Sequence, residues 1–276
     1  MALLTFKFVA GVLGHSSAMI ADAVHSLSDF FTDIIVLLFV KVSAKPQDES
    51  HDYGHGKFET LATLFIGLAL IAVTIGIIAS AAVKLVHWYN GIPLDVPGTL
   101  ALWAALVSIA VKEILYRYTA AVGKQLDSQA VIANAWHHRS DAVSSVCAAI
   151  GIGGAILLGN RWTVLDPLAS IVVGCMLMKV AVFLLKGCLG ELTDQSLSAD
   201  EERDITDIIT SFPDVSEPHN LRTRKIGNRI AIESHIRMDG NITLNIAHER
   251  TSDIERKLKE RFGKATLVTL HMEPKK

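Results

Sequence analysis

Between residues 18 and 40 the chain reads as an apolar helix broken on a single stripe. Asp22, His25, Asp29 and Asp33 follow one another at spacings of three, four and four, which returns each of them to the same helical face. That pattern predicts a membrane-spanning helix with one polar side. It recurs downstream, where Asn134, His137 and Asp141 share a stripe ahead of an apolar half at 143–158. Residues 61–83 form an uninterrupted uncharged run, long enough to span a bilayer that needs about 20 residues. A fourth apolar helix starts near Thr99 and continues past Lys112-Glu113, and a sixth runs over 165–185. Residues 2–13 are apolar and helical in pattern yet shorter than a span. The first of six transmembrane helices is therefore expected to be truncated, with its true start upstream, or short and partly interfacial.

Two polar breaks separate these runs, a loop at 41–57 and a turn-rich connection at 87–98 that holds Pro93 and Pro97. After about residue 190 charged and apolar residues alternate. The pattern predicts a helix at 200–211, strands at 221–226 and 229–238, a helix at 244–262 and a strand at 265–271. The expected architecture is an α-helical membrane domain over 1–190 and a C-terminal α+β domain of αββαβ order over 191–276. Lys41, Lys45, Lys57, Arg117, Lys124 and Lys186 fall on one side of the membrane, against Lys84 and Arg161 on the other. The positive-inside bias places the first set, both termini and the soluble domain in the cytoplasm.

Composition agrees with a membrane part joined to a smaller soluble one: half of the 276 residues are hydrophobic and the mean hydropathy is +0.38. A formal net charge of -2 argues against a nucleic-acid binder, which would carry a basic patch. Cys147, Cys175 and Cys188 lie in apolar runs without C-x-x-C spacing, so they read as buried small hydrophobes. The N-terminus lacks a basic segment and a small-residue cleavage site, and no cleavable signal is expected.

The chemistry concentrates in two copies of His-x-x-x-Asp, His25 with Asp29 and His137 with Asp141. Each copy points an imidazole and a carboxylate the same way, and two such faces brought together supply four N/O ligands, a tetrahedral set suited to Zn2+ first among divalent metals. One copy alone is commonly a hydrogen-bonded pair. Two copies in membrane helices repeat a costly burial of charge, which a metal offsets. Asp48, His51 and His55 place three ligand types within eight residues of the polar loop, and they read equally as an open zinc site or a solvated loop. His219, His235, His248, His271 and Glu273 show no local spacing motif, and by spacing alone the histidines read as surface residues. Lys57 and Asp194, at the cytoplasmic ends of neighbouring helices, form either an ion pair or two ordinary interface charges. Asp22, Asp33, Asn134 and Asp166 read as residues that hydrate an access path or support the ligands.

The chain resembles the cation diffusion facilitator (CDF) family of divalent-metal transporters over nearly all its length. The residues that carry the resemblance are ADAVHSLSD at 21–29, HDYGHGK at 51–57, WHHRSD at 136–141 and HNLRTR at 219–224. The resemblance implies six membrane helices, a metallochaperone-like cytoplasmic domain, a homodimer, and metal moving outward as protons move inward across the cytoplasmic membrane. It implies a transport site at His25, Asp29, His137 and Asp141, and a loop site at Asp48, His51 and His55. It further implies a paired site at the dimer interface from His219, His235, His248, His271 and Glu273, with Lys57 and Asp194 as an interlocking charge pair. Glu273 stands where the family often has aspartate, and the longer carboxylate is expected to reshape that site.

The expected function is efflux of Zn2+ by secondary active antiport, with Fe2+, Co2+, Mn2+ or Cd2+ as alternative substrates. Two readings from other classes compete with it. A membrane zinc hydrolase needs an open coordination position, which four protein ligands do not leave. A non-transporting metal sensor would use the soluble domain as its working part.

Overall fold

In this computed structural model the described residues are 2–43, 45, 47–125, 129–227 and 229–275, and the side chains at 32, 33, 35–41, 43, 123, 124, 129–137 and 140 fall outside the description. Six helices come first: α1 (Ala2–Leu13), α2 (Ser17–Ser43), α3 (Lys57–Tyr89), α4 (Thr99–Gln125), α5 (Gln129–Leu157) and α6 (Leu165–Leu192). Then follow α7 (Ala199–Thr210), β1 (Ser216–Ile226), β2 (Arg229–Met238), α8 (Leu244–Phe262) and β3 (Leu267–Pro274), the αββαβ order expected from the pattern. The chain divides into two compact units, Met1–Ile34 with Ile66–Leu184, and Ile35–Phe65 with Leu185–Lys276. The polar loop thus belongs to the unit that holds the α+β domain.

Among the described residues three helical stretches, Lys57–Tyr89, Thr99–Val122 and Asn160–Leu192, are long and apolar enough to cross a bilayer. Ala2–Leu13 and Asp141–Leu157 are shorter apolar helices. Helix α3 exposes Phe65, Leu68, Val73, Ile75 and Val83, a surface suited to lipid. In the first unit α4 packs along α5 and against α1. The core they share with the start of α2 is built of small side chains, Ala10, Ala18, Ala101, Ala104, Ala105 and Ala148, with Met19 and Ile152. Lipid removes the hydrophobic drive between helices, so close backbone approach over small residues supplies the packing. At Gly151 on α5 an added Cβ would sit 2.3 Å from the Cβ of Ala169 on α6, so a larger residue there would force the two helices apart.

The start of α2 is fixed from α6. Ser16 Oγ accepts from Met19 N at 3.1 Å as an N-cap does, and donates to Asp166 Oδ1 at 2.6 Å. Asp166 Oδ2 accepts from Ser17 N at 2.7 Å, and Oδ1 from Ala18 N at 3.3 Å. A buried carboxylate therefore satisfies the first free N–H groups of the helix and meets the positive end of its dipole. Asp166 is only 2% exposed, and its contacts anchor the start of α2.

In the second unit β2 is central, antiparallel to β1 and parallel to β3. Ile232, Ile236 and Met238 of β2 pack with Ile205 and Ile209 of α7 and Ile254 and Leu258 of α8. The opposite face of the sheet presents His235 and Arg237. Helix α7 opens with a capping box in which Ser198 Oγ accepts from Glu201 N and the Glu201 carboxylate accepts from Ser198 N. The Ser198 hydroxyl, and then its N–H, hold the Glu201 carboxyl below its usual range.

Two strand boundaries differ from the sequence expectation. Strand β1 begins at Ser216, five residues early, because register shifts flank His219 and Glu217 and Asn220 adopt left-handed backbone (φ 49 and 51), which erases the alternation that marks a strand. Strand β3 runs over Leu267–Pro274 in place of 265–271, and this brings Glu273 into the sheet.

Candidate metal sites

In the membrane unit His25 and Asp29 on α2 and Asp141 on α5 each offer one ligand atom, and these atoms lie within 4.8 Å of one another. His25 Nδ1 stands 3.9 Å from Asp29 Oδ1, too far for a hydrogen bond and wide enough for an ion held between them. The Nδ1 atom is buried with no hydrogen-bond partner among the described residues. Buried polar atoms are nearly always satisfied, so an orphaned imidazole nitrogen in a cluster with two carboxylates fits a cation. His137 lies one turn before Asp141 on α5, but its side chain, like those of Asp33 and Asn134, is outside the described residues.

Beside this cluster runs a polar network. Lys7 Nζ on α1 pairs with Asp22 Oδ2 at 2.7 Å, and both side chains are fully buried. Asp22 is thus held in place by a buried partner on α1. Lys112 Nζ on α4 donates to the main-chain carbonyl of Asp141 at 3.0 Å. Sequence reasoning missed Lys7, although a lone cation in an apolar membrane helix is itself a signal that a partner must exist.

In the second unit Asp48, His51 and His55 also converge. Asp48 Oδ1 accepts from the N–H groups of Ser50 and His51 at 3.0 and 2.9 Å, an Asx-type turn that folds the short loop on itself. His55 Nε2 lies 3.4 Å from Asp48 Oδ2 and His51 Nδ1 3.5 Å from Asp48 Oδ1. Among the described residues His55 Nδ1 is buried without a hydrogen-bond partner. The hydroxyl of Ser50, more than any other group, pulls the Asp48 carboxyl down to about 2, so it is an anion ready to accept a cation.

The same unit gathers a third group on the open face of the sheet. His219, His235 and His271 sit opposite one another across β1, β2 and β3. His235 Nδ1 lies 3.0 Å from Glu273 Oε1 and His219 Nε2 lies 3.4 Å from Glu273 Oε2. His219, His235 and Glu273 form the ligand-like cluster, with the His271 ring 4.6 Å from that of His235. The hydrogen bond to His235 is the main cause that lowers the Glu273 carboxyl. His248 is exposed on α8 and does not join this cluster within the chain.

Lys57 Nζ pairs with Asp194 Oδ1 at 2.8 Å, and Arg224 Nη1 of β1 reaches Asp194 Oδ2 at 3.3 Å. The Lys57 hydrogen bond is the leading cause that lowers the Asp194 carboxyl. Nearby, Glu191 Oε1 accepts from Thr60 Oγ1 at 2.7 Å and from Gly227 N at 2.5 Å. Gly227 has φ 62, and an added Cβ would lie 2.7 Å from the carbonyl oxygen of Gly56, so this turn requires glycine against the loop backbone.

Residues 1–193 match the cation efflux transmembrane domain family, and residues 197–275 match the cation efflux protein cytoplasmic domain family. The chain belongs to the cation diffusion facilitator family. Among its relatives is metal tolerance protein C1 of Arabidopsis thaliana, 36% identical over 97% of this chain and 59% of that protein. The chain thus spans well under two thirds of that relative's length. Manganese efflux system protein MneP of Bacillus subtilis (strain 168) is 31% identical over 99% of this chain and 91% of its own. The crystal structure of the cytosolic domain of a CDF family protein is 36% identical over 27% of this chain and 89% of that chain, with a TM-score of 0.26. Membership makes the chain a multi-pass membrane protein of a divalent-metal efflux family, and places the His25–Asp29–Asp141 cluster in its transmembrane domain.

Proposed function

We propose that the chain exports zinc from the cytoplasm in exchange for protons, with His25, Asp29, His137 and Asp141 as the transport site. The observation that carries this reading is the convergence of ligand atoms of His25, Asp29 and Asp141 inside the membrane unit, with the buried Nδ1 of His25 unsatisfied among the described residues. An imidazole binds metal only when deprotonated, and imidazoles change charge within the physiological pH range. Metal and protons therefore compete for one site, which is the chemical basis of antiport. Access alternates by rocking of helix groups about the site.

The orientation follows the charge bias of the loops, with both termini in the cytoplasm and the protein in the cytoplasmic membrane. The domain boundary falls near residue 190, and the soluble domain pairs with a second copy. The His219–His235–Glu273 cluster, extended by His271 and, from the dimer, His248, acts there as a metal sensor. Asp48, His51 and His55 form a second regulatory site, and Lys57 with Asp194 holds the membrane helices at their cytoplasmic ends.

Manganese is the second reading of the substrate, favoured by the relative named for manganese efflux. Two imidazoles and two carboxylates suit zinc better than a purely oxygen-ligated ion. Purified protein in proteoliposomes decides between them. Uptake of Zn2+, Mn2+, Fe2+, Co2+ and Cd2+ is measured with and without a pH gradient. The proposal requires zinc uptake driven by the gradient; gradient-driven uptake of manganese alone replaces the substrate, and uptake of none returns the chain to a non-transporting sensor.

A further inference from the structure

The buried network one helical turn from the transport site has the form of a clasp between α2 and α5. Asp22 Oδ1 accepts from Ser144 Oγ at 2.7 Å and from Ser145 Oγ at 3.0 Å. Asp22 Oδ2 accepts from Ser145 Oγ at 2.9 Å and pairs with Lys7 Nζ at 2.7 Å. The remaining protons of the ammonium group go to Ser26 Oγ at 3.0 Å and Ser145 Oγ at 3.2 Å, and Ser145 also meets Ser108 Oγ of α4 at 2.9 Å. Every charged atom in the network is satisfied from side chains of α1, α2, α4 and α5, and Lys7, Asp22, Ser108, Ser144 and Ser145 have no exposure to solvent.

Position gives the network its meaning. Asp22 precedes His25 by three residues on α2, and Ser144 and Ser145 follow Asp141 by three and four residues on α5. For His25 and Asp29 to meet Asp141 while Asp22 meets Ser144, the two helices must run antiparallel. Both steps then lead the same way, about 4.5 to 6 Å from the ligands toward the end of α2 that begins at Ser17. An exit along the α2–α5 seam toward that end would part the two helices, and the hydroxyl bonds to Asp22 are contacts that such a parting would break.

We propose that Asp22, Ser144 and Ser145 form the release-side gate of the transport site, with Lys7 as the positioning residue that holds the Asp22 carboxylate across the gap. Lys7 and Asp22 move together with α1 and α2, and the serines move with α5. The gate uses hydroxyl–carboxylate bonds, which reform at each closure, while the contact with Lys7 keeps the Asp22 side chain aimed when the serines are away. The inference rests on the transport reading above.

The test uses the full chain in proteoliposomes, with Zn2+ and Mn2+ as probes. Each hydroxyl bond in a membrane is worth a factor of about 3 in an equilibrium, so losing two shifts gate opening roughly tenfold. Ser144→Ala/Ser145→Ala is therefore expected to raise downhill metal leak without a pH gradient by about tenfold and to lower gradient-driven accumulation. Ser144→Thr keeps its hydroxyl and retains tight coupling. A second variant, Lys7→Met/Asp22→Leu, replaces the pair by apolar groups that a core tolerates and leaks likewise; if either variant fails to give a monodisperse protein, the other decides. Wild-type leak and coupling in the variants overturn the gate, as does a uniform loss of rate with no rise in leak, which marks a merely structural network. Absence of flux in the wild type instead defeats the transport reading, and that outcome is separable because it appears before any substitution is made.

Discussion

Replacing Asp166 by alanine tests how the membrane unit is held together. Its carboxylate accepts from Ser16 Oγ at 2.6 Å, Ser17 N at 2.7 Å and Ala18 N at 3.3 Å. The third contact is long and contributes little, so two charge-assisted bonds dominate. In water-soluble proteins such bonds are worth about 1.5 to 3 kcal/mol each, whereas side-chain hydrogen bonds measured in a membrane average about 0.6 and reach about 1.7 kcal/mol. The substitution also strips the counter-charge from the start of α2, worth about 0.3 to 1 kcal/mol. With membrane values for the bonds, the loss comes to about 2 to 4 kcal/mol. Unfolding of the detergent-solubilised protein by a denaturing surfactant measures it. Ser16→Ala completes a double-mutant cycle, and contact between the two residues predicts a coupling above about 0.5 kcal/mol. A loss below about 0.5 kcal/mol, or effects that add within about 0.3 kcal/mol, would refute the anchoring argument.

Ser198→Ala removes the capping box of α7 and is expected to cost about 1 kcal/mol in thermal or chemical unfolding of the soluble domain; no change would mean that α7 is fixed by its core contacts alone. The Lys57–Asp194 pair is half-exposed, so Lys57→Met should cost only about 0.5 kcal/mol at neutral pH. Because the Asp194 carboxyl is lowered from 3.8 in the folded protein, the pair's contribution is present above that ordinary value and fades as pH falls through the lower one. A wild-type minus variant difference that grew on acidification would contradict the assignment. His235→Ala breaks the ligand cluster on the open sheet face and should reduce the number of Zn2+ ions bound per chain in equilibrium dialysis; unchanged stoichiometry would place that metal elsewhere.

The order of elements was legible because both periodicities are strong: long apolar runs with one polar stripe in the first part, alternation in β2 and the amphipathic pattern of α7 and α8 in the second. Strand β1 was partly hidden, since the irregular backbone around His219 breaks the alternation that a strand leaves in a sequence. The candidate transport ligands could be picked out because His25 with Asp29 and His137 with Asp141 repeat one spacing, and His25, Asp29 and Asp141 do converge. Other relations depend on distant pairing. Lys7 finds Asp22 only once α1 and α2 pack, Asp166 reaches back some 150 positions to Ser16, and the loop at 48–57 groups with the soluble domain through the backbone contact of Gly56 with Gly227. The cross-sheet row of His219, His235 and His271 likewise needs strand register, which spacing along the chain does not carry.

The central claim is that Asp29, with His25 and Asp141, holds a metal in transit. Flux of Zn2+ into proteoliposomes containing Asp29→Ala, against wild type under the same pH gradient, tests it most directly. The account predicts that metal uptake and the accompanying proton movement both vanish while the variant remains folded. Uptake at the wild-type rate would contradict it.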